Sequence, residues 1–135
     1  MSKSFELKTD TIIKLMKAYV DAGLAKNASK KCNASYNFIL TDKKDGAVVA
    51  SFSIDLREGH EKVSTEKIDK PDATFQMVES DFHNMCLGKL NPQIAFVKRQ
   101  LKITGNFKKA SIFTPDLFPK PTQENVEKYM KLVKL

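Results

Sequence analysis

The sequence predicts an α+β domain: a sheet of about five mostly antiparallel strands with helices covering one face. Three observations carry this. Val48, Ala50, Phe52, Ile54 and Leu56 alternate with Val49, Ser51, Ser53 and Asp55, the period of two that gives a strand one dry and one wet face. Ile12, Ile13, Leu15, Met16, Tyr19 and Val20 fall at helical spacing instead, with Lys14, Lys17 and Asp21 opposite. Between Leu87 and Ala110, a helix stop at Gly88, a helix start at Asn91-Pro92 and a turn at Gly105-Asn106 crowd into one short stretch.

In chain order, Thr9-Asp10 is expected to cap the first helix and Gly23 to end it, ahead of a loop or short helical turn from Lys26 to Lys31. Tyr36, Phe38 and Leu40 mark the apolar face of a first strand, which turns through Asp45-Gly46 into the alternating second strand. A polar turn from Arg57 to Glu61 leads to a short third strand, Lys62 to Thr65, and then to a loop containing Pro71. Ala73, Phe75 and Met77 form the next apolar strand face. Glu79 or Ser80 opens a helix that gathers Phe82, Met85 and Cys86, with Asp81 suited to its positive N-terminus. Asn91-Pro92 opens another helix. Leu101 to Thr104 is a strand, and Phe107, Ala110, Ile112 and Phe113 suggest a short helical segment. Pro115, Pro119 and Pro121 interrupt regular structure, and Thr122 caps a final helix from Gln123 to Leu135. One domain over residues 1–119 and an amphipathic tail over 120–135 are therefore expected.

The composition, 41% hydrophobic and 29% charged over 135 residues, is that of a water-soluble globular chain. No run approaches the ~20 apolar residues of a membrane span, and the first residues lack the apolar core of a secretory signal. Cys32 and Cys86 have no partner spacing of note and are expected to be free thiols. The net charge of +7 comes from scattered lysines and only two arginines, Arg57 and Arg99. That pattern does not suit a nucleic-acid interface. It suits a solvated surface or transient attraction to an anionic membrane or to acyl-CoA phosphates, with Lys98, Arg99 and Lys102 as the residues for such a contact. Ser80 and His83 share a three-residue spacing, but Asp81 does not face His83, so a nucleophile–base pair would lack its orienting group. His60, His83, Cys32 and Cys86 have no metal-ligand spacing. No enzymatic activity, cofactor or metal is expected.

Residues Asp72 to Phe113 resemble the sterol carrier protein 2 family, the non-specific lipid-transfer domain. The resemblance rests on Ala73-Thr74-Phe75-Gln76-Met77, on Ser80-Asp81-Phe82, on Gly88-Lys89-Leu90-Asn91-Pro92-Gln93-Ile94-Ala95-Phe96, and on Leu101-Lys102-Ile103-Thr104-Gly105-Asn106. With the N-terminal helix and hairpin in matching order, it extends over roughly Thr9 to Phe118. It implies a five-stranded sheet enclosing an apolar tunnel that takes fatty acids, acyl-CoAs or sterols. By periodicity alone, Phe52, Met77, Phe82, Met85, Leu90, Phe96, Leu101 and Ile103 are core positions; the resemblance makes them tunnel-wall candidates. Gln93, placed just after Asn91-Pro92, is the candidate for a polar contact at the mouth. Methionines suit such a site because they are unbranched and adaptable.

The expected role is therefore a lipid carrier acting as a monomer, with delivery of substrate to a peroxisomal β-oxidation enzyme as the alternative. Val126, Tyr129, Met130 and Val133 of the last helix form a candidate lid over the tunnel or the open sheet edge. Val133-Lys134-Leu135 resembles a peroxisomal import tripeptide, with Val133 bulkier than the small residue usual at that place. Peroxisomal residence, through an import receptor, is the expectation, and the cytoplasm is the alternative.

Overall fold

A computed structural model of the chain describes residues 7–133. The element order is α1 (Thr9–Asp21), α2 (Lys26–Cys32), β1 (Ser35–Thr41), β2 (Val48–Asp55), β3 (Lys62–Ser64), β4 (Ala73–Val78), α3 (Glu79–Cys86), α4 (Pro92–Val97), β5 (Leu101–Gly105), α5 (Phe107–Ile112), a 3₁₀ turn at Pro115–Leu117, and α6 (Gln123–Val133). The α+β expectation holds. The five strands form one sheet in the order β3-β2-β1-β4-β5. Every pairing is antiparallel except β1 with β4, which run parallel.

Local sequence explains most of the joints. Gly23 and Gly88 sit at positive φ, 78° each, just past α1 and α3. In each case two backbone N–H groups return to the last turn of the helix: Gly23 and Leu24 to the Val20 and Tyr19 carbonyls, Gly88 and Lys89 to the Met85 and Asn84 carbonyls. This closing pattern satisfies carbonyls that the helix itself leaves unpaired. α4 ends the same way without a glycine: Arg99 adopts φ 61° while Gln100 donates to the Ala95 carbonyl.

Two local expectations need correction. Thr9 does not cap α1; it is the first helical residue, and its buried hydroxyl reaches across to α3. Of Glu79 and Ser80, Glu79 opens α3, with Val78 at the cap position and Ser80 exposed within the helix. The second face of the sheet is not wet throughout. Asn37 on β1 is only 6% exposed, because the loop after β3 crosses it. The Asn37 amide donates to the Ile68 carbonyl and accepts from the Ile68 N–H, both at 2.9 Å. Both ends of a buried amide are thereby paired, which burial requires.

The core lies between the sheet and α1, α3 and the aromatic end of α5. Phe38 and Phe52 stack at 4.8 Å, and Phe82 and Phe113 tilt against Phe38 at 6.2 and 5.5 Å. Offset and tilted ring pairs of this kind add to the burial energy. β2 follows the predicted alternation only over its second half: Phe52, Ile54 and Leu56 are fully buried, whereas Val48 and Val49 extend past the core into solvent. α6 packs along α1, with Tyr129 edge-on to Tyr19 at 5.5 Å. Pro121, in the connection to α6, is fully buried.

Candidate functional site: an apolar cleft between the sheet edge and two short helices

Strand β5 is the sheet edge on the side of α4 and α5, and its register with β4 sets the floor of the site. Leu101 opposes Met77 and Ile103 opposes Phe75, so all four side chains point to one face. α4 supplies one wall. Its start is set by Asn91, whose Oδ1 accepts the N–H groups of Gln93 at 2.8 Å and Ile94 at 3.3 Å, with Pro92 in the first turn. α5 supplies the other wall. Asn106 caps it by accepting from the Lys109 N–H at 3.0 Å. Gly105 makes that turn at φ 93°, and a Cβ there would stand 2.6 Å from the Asp72 carbonyl oxygen. The two walls meet at the rim, where Phe96 and Phe107 rings lie 5.1 Å apart.

The outer cleft enclosed by these elements measures about 510 Å³ and is lined by Phe75, Gln93, Phe96, Leu101, Ile103, Phe107 and neighbours on α5 and the following loop. Its size falls within the range of small-molecule sites. Past Phe75, Leu101 and Phe113 it adjoins an inner cavity of about 30 Å³, walled by Met16, Phe38, Met77, Phe82, Met85 and Cys86 among others. That inner volume is on the scale of one water molecule. On the other side of α4, a second cleft of about 600 Å³ shares Phe96, Val97, Leu101 and Ile103 and adds Lys44, Asp45, Arg99 and Lys102. The open space is thus a mostly apolar outer cleft and a second cleft of mixed, partly charged lining, beside a nearly filled interior.

Of the residues singled out from the sequence, Gln93, Phe96, Leu101 and Ile103 line the outer cleft, and Met77, Phe82 and Met85 line the inner cavity. Leu90 packs half-buried against the core, and Phe52 is buried in the stack on Phe38; neither lines these spaces. Val126, Tyr129 and Met130 are half-buried on the α1 side of α6, away from the clefts. The Val133 side chain, Lys134 and Leu135 lie outside the described residues. Sequence reasoning missed Phe75, Phe107 and Phe113 as cleft walls. Their signal was available, since each lies on an apolar face flanking the cleft-forming segment.

Titratable groups nearby are structural. Burial pushes the Cys86 thiol up to about 12, so it stays protonated and inert at neutral pH. Burial also raises Cys32, with the nearby Lys31 and Lys109 pulling the other way. Burial raises Tyr36 as well, and its hydroxyl donates to the Lys109 carbonyl at 2.7 Å. Lys109 in turn donates to the Cys32 and Asn33 carbonyls at 3.3 Å each, fastening α5 to the end of α2. His83 is turned away from Ser80: its Nε2 lies 2.8 Å from the Thr9 hydroxyl, which donates to Glu79 at 2.6 Å. Because that hydroxyl has a single proton, the ring must supply the other, and the neutral imidazole carries its proton on Nε2. Among the described residues, no three His, Cys, Asp or Glu side chains gather as a metal site would need.

Residues 12–115 match the SCP-2 sterol transfer family. The chain belongs to this family. A sterol carrier protein 2 of Arabidopsis thaliana is 35% identical over 118 residues, covering 87% of this chain and 96% of the relative. A human sterol carrier protein 2 is 38% identical over 77 residues, 57% of this chain but 14% of that longer protein. The fold matches the solution structure of sterol carrier protein 2 from Aedes aegypti in complex with palmitate, at a TM-score of 0.62 and 21% identity, over 84% of this chain and 96% of that one. The family's fold is therefore present here, with the cleft at the β5 edge.

Proposed function

We propose that this chain is a lipid carrier that receives an acyl chain in the cleft between β4–β5 and α4–α5. The observation that carries this reading is the outer cleft itself: about 510 Å³ of space with predominantly apolar walls, open to solvent past Phe96 and Phe107. An acyl chain needs burial and little directional bonding. Removing about 300 Å² of it from water contributes roughly 7 kcal/mol, which exceeds the lower estimates of about 4 kcal/mol for association entropy. Gln93 is the polar group placed to meet a lipid carboxyl or hydroxyl at the mouth. Met77, Phe82 and Met85 surround the closed inner end and would yield to a longer chain by changing rotamers. Family membership and the palmitate complex of the Aedes aegypti relative support fatty acids as a ligand class. Acyl-CoA and sterol are further candidates on the same apolar walls.

Native mass spectrometry of gently purified protein, with titration of a fluorescent fatty-acid probe, tests the proposal. Co-purified lipid and saturable probe binding are expected. Ile103→Asp, which puts a charge on the cleft floor, should weaken the probe at least tenfold. Protein that carries no lipid and binds no probe overturns the reading.

A further inference from the structure

β5 ends the sheet: it pairs with β4 and no strand of this chain lies on its other side. The Asn106 N–H donates to the Asp72 carbonyl at 2.7 Å, and in an antiparallel ladder such bonded pairs alternate, next at Thr104 with Thr74 and then at Lys102 with Gln76. Leu101, Ile103 and Gly105 therefore turn their N–H and C=O groups away from β4. None of these groups has a hydrogen-bond partner among the described residues. The edge is also open. Arg99, Gln100, Leu101, Lys102 and Ile103, consecutive in the chain, all line the second cleft of about 600 Å³. Successive strand residues face opposite sides, so a space that touches them all runs along the edge of the strand.

The charge along this edge is of one sign. Between Asp81 and Asp116 the sequence has no carboxylate side chain. Lys98 and Arg99 precede β5, Lys102 lies within it and Lys108 follows it. All four are exposed, and none forms an ion pair among the described residues. Lys44 adds a further cation to the second cleft, and Asp45 beside it is the one carboxylate among the described residues lining that space. On the face turned towards the helices, Phe96 and Phe107 flank the strand and remain 39% and 52% exposed.

From these observations we infer that β5 accepts an extended acidic segment of a partner protein, which adds to the sheet as a further strand. Added antiparallel, the segment exchanges main-chain hydrogen bonds with Leu101, Ile103 and Gly105. Its side chains then alternate between the two faces. Apolar ones lie beside Leu101, Ile103 and the two phenylalanines, and acidic ones lie beside Lys102 on the other face. The signature of the partner is thus aspartate or glutamate at every second position, with a branched aliphatic residue between. A second copy of this chain does not fit, because its own cations would meet these; a lysine on an edge strand keeps like edges apart. This partner site is independent of what the outer cleft holds.

The test titrates the full chain with a blocked hexapeptide of alternating glutamate and valine, followed by NMR and by amide hydrogen exchange. Saturable binding is expected. The amides of Leu101, Ile103 and Gly105 should slow in exchange, and those of β3, at the opposite sheet edge, should not change. Methyl groups on the valine nitrogens should abolish binding, because in antiparallel addition those N–H groups face β5. Methyl groups on the glutamate nitrogens should leave the affinity within about threefold. A lysine–valine peptide should bind roughly tenfold more weakly, and Lys102→Glu, verified as folded by its melting curve, should weaken the glutamate–valine peptide roughly fivefold. Absence of saturable binding, protection at β3 in place of β5, or methylation that singles out neither set of nitrogens overturns the inference. Equal binding of the lysine–valine peptide, or unchanged binding by Lys102→Glu, does so too. So does equal binding of a plain polyglutamate peptide, which would reduce the contact to charge alone.

Discussion

Thr9, Glu79 and His83 join two helices that are distant in sequence. Burial lowers the His83 pKa below the ordinary histidine value, with Glu79 pulling the other way. The sign follows from linkage: the unfolded chain takes up the proton first as the pH drops. Stability should be fullest above about pH 6.5, the unperturbed histidine value, and should fall as the pH descends from there towards the folded-state pKa. Denaturant titrations from pH 7.5 to 5 should show that slope, and His83→Gln should flatten it. Thr9→Val, which leaves two polar partners short of a bond, should cost about 1–3 kcal/mol at neutral pH. Gly105→Ala meets both an unfavourable φ and the Asp72 carbonyl, and should destabilise by about 2 kcal/mol or more. Arg99→Gly should do the opposite, raising stability by about 1 kcal/mol, because φ 61° is natural for glycine and strained for arginine.

Short helices make the cleft, and a helix of α4's six residues has no independent stability in water. α4 persists because Asn91 holds its first turn and its apolar side rests on the sheet edge. Asn91→Ala should therefore cost about 1 kcal/mol of stability by thermal melt and also weaken the fatty-acid probe, coupling a cap to ligand affinity. Caps of this sort were readable from the sequence. Asn91-Pro92 and Gly88 act on their immediate neighbours, and the structure bears out both signals; Asn106, expected only as part of a turn, also caps α5. What could not be read depends on distance. The Thr9 hydroxyl finds its partners 70 and 74 residues away, so it looked like a local cap. Asn37 looked solvent-facing until the loop at Ile68 crossed it. Arg99 carries no glycine to announce a left-handed turn.

For the whole molecule, sequence patterns specified the layers better than the space between them. The apolar faces of β1, β2 and β4 were evident, but the same faces serve a filled core or an empty tunnel. Phenylalanines resolve the ambiguity by position. Phe38, Phe52, Phe82 and Phe113 fill the middle, leaving the open volume at the β5 edge. The apolar stripe of α6 likewise did not reveal its destination, which is Tyr19 on α1. Deleting residues 122–135 should lower the melting temperature by exposing α1, while leaving the affinity of the fatty-acid probe within threefold, since no described α6 residue lines a cleft. A loss of tenfold or more would make α6 the lid expected from its sequence.

The parallel pairing of β1 with β4 also has a kinetic side. β1 and β2 close as a hairpin within a few residues, whereas β4 must return from beyond β3 to lie along β1. Contacts of long sequence separation form slowly. The edge strand β5 pairs only with β4 and has no neighbour on its other side, so it leads in opening. In hydrogen exchange, β1 amides should report global unfolding, while those of β5 and α4 should exchange through smaller, faster openings. The part of the protein that would hold lipid is thus also the part whose closure is least cooperative with the rest.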